Sequence, residues 1–172
     1  MAMFLRAALL LLALPILIMP TGGTPSAAGT AGGQLRLQLK DSEGAVLLSL
    51  AVKNGFVFGI RFIHSVAKSP VEEWFAVEDG TIFLEKTVYQ DFGAGLPHEP
   101  GPGQTMTCAD GHVVISGYHR RLASFDVRVG RIARHTLLLP APDGREGVLP
   151  LNSLAAPGSA VTFEISETQS AP

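Results

Sequence analysis

At 172 residues, 47% of them hydrophobic, the chain has enough apolar material for one domain with a real core and no staples. Thirteen basic against fifteen acidic residues leave a net charge of −2, which argues against nucleic acid as a general partner. The lone Cys108 excludes an internal disulfide; no activating motif surrounds it, so it reads as a small buried or loop residue and not as a nucleophile.

The N-terminus has the order of a secretory signal. Arg6 is the only charge before Ala7, and Ala7 to Met19 is almost wholly apolar, broken by Pro15. Ser26-Ala27-Ala28 then offers a small-x-small cleavage site. The apolar run is about 13 residues, short of the roughly 20 that a spanning helix needs. No Cys follows it, so a lipoprotein anchor is not available. The expected organisation is a signal over 1–28, a flexible leader over 29–34, one domain over 35–166 and a tail over 167–172. A periplasmic or secreted location follows; the alternative is an uncleaved segment that tethers the protein to the membrane. Losing Arg6 with the signal moves the charge to about −3.

The rest reads as all-β. Leu35 to Leu39 alternates strictly, and Val46 to Val52 is a short apolar run. Alternating segments follow at Phe56 to Phe62, Val71 to Glu78 and Thr81 to Tyr89. Further segments are Val113–Ser116, Leu122–Val129, Arg134–Leu139, Val148–Leu151 and Ala160–Ile165. Turn chemistry separates them at Asn54-Gly55, Asp79-Gly80, Asp110-Gly111, Asp143-Gly144 and Pro157-Gly158. Short alternating strands with regular turns predict an antiparallel β-sandwich or a partly open barrel of about 8–10 strands. The one long irregular segment, Gly93 to Gly103, has the length of a functional or mobile loop.

The segment from Phe62 to Phe75 carries the chemistry. Phe56, Phe58, Ile60 and Phe62 share a strand face that His64 continues; Val71, Glu73, Phe75 and Val77 share another. Matching the apolar faces sets Phe62 opposite Phe75 and Ile60 opposite Val77, which brings His64 opposite Glu73 within hydrogen-bond reach. The Asp79-Gly80 turn extends the pattern and sets Glu73 opposite Lys86. The expectation is a His64–Glu73–Lys86 row at the open end of the core, either a polar site or a network that satisfies charges at the rim. Ser65 points to the other face from His64 in a strand, which weakens a hydrolase reading, and no Gly-x-Ser-x-Gly elbow is present.

Two more features bear on ligands. The turn Phe92-Gly93-Ala94-Gly95-Leu96-Pro97 offers backbone amides to an anion, or simply needs glycine to turn. Arg120, Arg121, Arg128, Arg131 and Arg134 crowd one region with only Asp126 among them. Guanidinium groups there suit a carboxylate ligand, lipid headgroups or an acidic partner; a solvated strand face is the plain alternative. The five histidines include no close ligand pair, so no metal site and no cofactor are expected.

His64-Ser65-Val66, Pro70-Val71-Glu72-Glu73, Phe92-Gly93-Ala94-Gly95-Leu96-Pro97, Val127-Arg128-Val129-Gly130 and His135-Thr136-Leu137 together resemble the domain of unknown function 1850 family. The likeness runs from about Leu35 to Ile165. It implies a small exported bacterial protein, often encoded beside TAXI-type TRAP transporters, and maps the family's motif residues to His64, Ser65, Glu73, Gly93, Gly95 and His135. The expected function is a non-catalytic accessory or binding module near solute uptake. Its partners would be TRAP transporter subunits, a solute-binding protein or a small carboxylate. The alternatives are a periplasmic enzyme with His64 and Glu73 as an acid–base pair, and a purely structural envelope protein.

Overall fold

The computed structural model describes residues 33–93, 95–141 and 145–168. The signal-like segment and the Asp143-Gly144 turn lie outside them. Among the described residues, eleven strands and one short 3₁₀ turn, Leu151–Ser153, make up the regular structure. The strands are β1 Gln34–Lys40, β2 Val46–Ala51, β3 Val57–Ile63, β4 Pro70–Glu78, β5 Thr81–Tyr89, β6 Thr105–Ala109, β7 His112–Leu122, β8 Ser124–Arg128, β9 Thr136–Pro140, β10 Glu146–Pro150 and β11 Ala160–Thr168. They form two antiparallel sheets, a small one ordered β2-β1-β11-β8 and a large one ordered β10-β9-β3-β4-β5-β7-β6. The sheets pack as a sandwich and do not close into a barrel. Among the described residues no helix is long and apolar enough to cross a membrane.

Local sequence explains the joints. Asp79 and Gly80 both take positive φ, 47° and 67°, in a two-residue turn that pairs Glu78 with Thr81. Asp110 and Gly111 do the same at 51° and 74° between β6 and β7. The expected strand Leu122–Val129 splits at Ala123: β7 ends in the large sheet and β8 starts in the small one. β6 was not among the expected strands. Its Thr-Met-Thr-Cys-Ala sequence sits on an exposed edge with only Met106 turned to apolar neighbours, so it carries almost no alternation signal. Cys108, expected as a small buried or loop residue, lies on this edge and is exposed.

Four phenylalanines join the layers. Phe58 and Phe75 of the large sheet stack at 5.2 Å, Phe75 meets Phe125 at 4.7 Å, and Phe125 meets Phe163 at 4.9 Å. Such pairs add about 0.5–1.5 kcal/mol each beyond burial. Around them Leu37, Leu39, Ile60, Val77, Ile82, Leu84, Val129, Leu137, Leu151 and Val161 complete the main core. The large sheet also carries a second cluster, Val71, Tyr89, Val113 and Ile115, with Phe62, Leu96, Met106 and Tyr118 against it. Leu96 brings the segment that follows β5 over this cluster, and the Tyr89 hydroxyl donates to the Pro97 carbonyl.

Two register corrections matter for the site. In the β3–β4 hairpin Phe62 pairs with Val71, Ile60 with Glu73 and Phe58 with Phe75. The faces are as expected but the register is shifted by four residues. Alternation fixes which face a residue takes, and any even shift preserves it. In the β4–β5 hairpin Val77 pairs with Ile82 and Phe75 with Leu84, as expected; then Trp74 pairs with Lys86 and Glu73 with Thr87. Glu85 is the extra residue of a bulge, and one extra residue flips every side chain beyond it to the other face.

Candidate functional site

Because of these two shifts the His64–Glu73–Lys86 row does not form. Glu73 opposes Ile60, four residues along the strand from His64, or roughly 13 Å at strand rise. Lys86 faces outward, with its ammonium 5.1 Å from the centre of the Trp74 ring. Trp74 lies across Gly59, where a Cβ would meet the indole at 3.1 Å, so glycine is what permits the close approach. The indole N–H donates to Glu72 at 2.9 Å, and Glu72 also binds Arg61, which reaches Glu146.

His64 instead builds the β3–β4 turn. Its N–H donates to the Ser69 carbonyl at 2.9 Å, and its carbonyl accepts from Lys68 at 3.0 Å. Its ring Nδ1 accepts from the Ala67 N–H at 3.1 Å and the Val66 N–H at 3.3 Å, which places the proton of the neutral ring on Nε2. Gly93 sits against this ring: a Cβ there would meet His64 Cε1 at 2.8 Å. His64 and Gly93 therefore do converge, as packing partners. Gly95 is exposed with φ 90°, the ordinary glycine use in a turn. Ser65 is exposed and makes no hydrogen bond to His64; the Ser69 hydroxyl is buried with no partner among the described residues.

Glu73 lies on the inner face between the two clusters, flanked by Ile60 and Thr87. Its carboxylate has no hydrogen bond or ion pair among the described residues. Burial pushes its pKa up, against a smaller lowering pull from Arg120. His135 stands just before β9, its ring 5.5 Å from that of Phe62 and its Nδ1 accepting from the Gly130 N–H at 3.2 Å. Burial pushes its pKa down.

The arginines divide. Arg120 and Arg121 belong to β7, whereas Arg128, Arg131 and Arg134 surround the β8–β9 connection. Arg128 donates to the Gly158 carbonyl at 2.8 Å. Three surface grooves meet at Arg131. One runs along Arg128, Gly130, Pro157 and Gly158. Another runs along Ile63, Ser65, Lys68 and Ile132. The third, of about 350 Å³, is lined by Arg131, Arg134, Thr136, Pro150 and Asn152. Among the described residues none of Lys68, Arg128, Arg131 and Arg134 has an acidic partner. The Thr136 hydroxyl donates to the Arg134 carbonyl at 3.0 Å and keeps its lone pairs free. Lys68 and Arg134 both hold positive φ, 59° and 49°, uncommon for side chains of that length.

One grouping escaped sequence reasoning. Glu78, Glu85 and His119 bring ligand-type atoms within 4.8 Å of one another, with His119 Nδ1 3.0 Å from Glu85 Oε1 and the ring stacked on Phe83 at 4.5 Å. The Glu85 bulge and the positive φ of His119, 40°, assemble it, and neither has a sequence signature. These side chains are exposed or half-exposed, and their atoms suit a divalent ion.

The class these features define is a small two-sheet antiparallel β-sandwich with a cation-lined loop end. The profile of the domain of unknown function DUF1850 matches residues 58–142, and the chain belongs to that family. The match runs from β3 into the β9–β10 connection and includes His64, Glu73, Gly93, Arg128 and His135. No curated protein and no solved structure matches the chain.

Proposed function

We propose that the protein is an exported, non-catalytic binding module, accessory to TAXI-type TRAP solute uptake, that holds a small organic acid in the groove at the end of the β9–β10 pair. The carrying observation is the pair Arg131 and Arg134, two guanidinium groups on one groove with no acidic partner among the described residues. A carboxylate there accepts charge-assisted hydrogen bonds from both, and Thr136 and Asn152 supply polar contacts for a second functional group. A groove of about 350 Å³ suits a ligand of that size. Export is supported by the signal-like order of residues 1–28, and the uptake role rests on the transporter neighbourhood that the sequence resemblance implies. An acid–base enzyme on His64 and Glu73 has lost the juxtaposition that motivated it.

The test is calorimetry and thermal shift with succinate and glutarate, using the neutral diamides as controls. The acids bind and the diamides do not. Arg131→Ala and Arg134→Ala each weaken binding about tenfold or more, the scale of a lost hydrogen bond to a charged group. No response to any acid, together with unchanged solute uptake on deletion of the gene, refutes the proposal.

A further inference from the structure

The two loops that meet at the second groove have an unusual make-up. Residues 64–69 and 129–135 carry Lys68, Arg131 and Arg134 and no acidic residue, in a chain whose net charge is −2. Both loops also expose a large aliphatic side chain at their tip. Ile132 is 72% exposed and Val66 64%, the two most exposed of the chain's large hydrophobic residues among those described. The loops are tied together: the Ile63 N–H donates to the Ala133 carbonyl at 2.7 Å, and Ser65, Lys68, Arg131 and Ile132 line one shallow groove whose floor includes Ile63 and Ala133. Each loop is rigidified from within, by the His64 ring in one and by the His135 ring in the other. The arrangement is therefore a fixed platform of two apolar tips with three cations around them.

Scattered exposed aliphatics need no explanation, but two at the tips of adjoining, wholly non-acidic loops fit a surface that is apolar inside and anionic outside. From this we infer that the loop end docks on an anionic phospholipid surface, with Val66 and Ile132 entering the interface, Lys68 contacting a headgroup phosphate, and Arg131 and Arg134, whose guanidinium groups hold the proposed ligand, adding their charge to the attraction. Each cation near such a surface adds about 1 kcal/mol, roughly a fivefold gain in affinity, and an inserted aliphatic side chain adds a comparable or larger gain. Phe92, half exposed on the neighbouring loop, sits beside Asp91 and is not needed for this contact. The inference rests on the same loop end as the proposed ligand groove, and would place that groove at the membrane where a transporter works.

The experiment is co-sedimentation of the protein lacking residues 1–28, as export would leave it, with two vesicle types. One is an equimolar mixture of phosphatidylglycerol and phosphatidylcholine; the other is phosphatidylcholine alone. Binding is expected to the first only, and to fall steeply with added salt. Lys68→Glu lowers it about fivefold or more. The pair Val66→Ser with Ile132→Ser lowers it about tenfold while leaving succinate binding intact, because neither side chain lines the Arg131–Arg134 groove. A circular dichroism spectrum and melting curve confirm that each variant folds. Absence of vesicle binding overturns the docking inference, as does equal binding to both vesicle types or binding indifferent to the serine pair. A preference for the cognate solute-binding protein over vesicles, lost in the same variants, overturns it in favour of a protein partner. Succinate binding that survives any of these outcomes leaves the ligand proposal standing, so the two readings fail separately.

Discussion

Replacing Gly93 by alanine tests whether His64 is a structural keystone. The new methyl would lie 2.8 Å from His64 Cε1, 3.0 Å from Nδ1 and 3.2 Å from the Ala67 Cβ. The first distance is well inside van der Waals contact, so the ring must move. Movement breaks the two bonds from the Ala67 and Val66 amides to Nδ1. Overpacking costs about 1–3 kcal/mol and each lost hydrogen bond about 1, so the expected loss is about 2–3 kcal/mol after partial relaxation. For a domain of this size that lowers Tm by roughly 6–10 °C. The backbone contributes nothing, since Gly93 is not among the glycines with positive φ. The assay is urea unfolding of Gly93→Ala, His64→Ala and the double variant. With the ring removed only the Ala67 contact remains, so Gly93→Ala should cost less than about 1 kcal/mol in the His64→Ala background. An equal cost in both backgrounds would refute the packing argument.

Two further outcomes follow from the same geometry. Glu73→Gln removes a carboxylate that burial disfavours in its charged form. A raised folded pKa stabilises the fold below the ordinary carboxylate range of the unfolded chain, and that stabilisation is lost as pH rises through the folded pKa. The variant should therefore be the more stable protein at neutral pH, by about 1 kcal/mol, with the gap closing in acid; urea midpoints across that range measure it. Arg61→Met frees Glu72 from its ion pair beside the chain's one tryptophan. The emission spectrum of Trp74 should shift, with a stability loss of about 0.5–1 kcal/mol, since Arg61 is partly solvated; an unchanged spectrum would mean the Arg61–Glu72 pair does not hold the indole.

Much of the architecture was legible because alternation is a strong signal: the inward faces of β3, β4 and β11 follow directly from their phenylalanines and valines. The paired turns at Asp79-Gly80 and Asp110-Gly111 announced their hairpins. The site was harder. The His64–Glu73 pairing depended on register, and Phe62 can face Phe75 or Val71 with equal apolar satisfaction. Turn geometry decided it, through an imidazole that accepts two amides. Lys86 was misplaced by a bulge residue, Glu85, that looks like any strand glutamate. The arginines after Val127 were visible as a run, but only the fold separates Arg120 and Arg121 from the three that share a loop end.

The unequal size of the two sheets has a dynamic consequence. Four strands cannot roof seven, so the cluster around Val71, Tyr89, Val113 and Ile115 includes Leu96 from the segment after β5, held by the Tyr89–Pro97 hydrogen bond. A cluster capped in this way opens by peeling a segment, without separating the layers, and that costs only a fraction of the global unfolding free energy. The protein therefore has two thresholds for letting water in, and Glu73 stands on the boundary between them. Each opening would hydrate that carboxylate and relieve the burial that disfavours its charge, so solvent acidity acts on the lower threshold as well as on the stability of the whole sandwich.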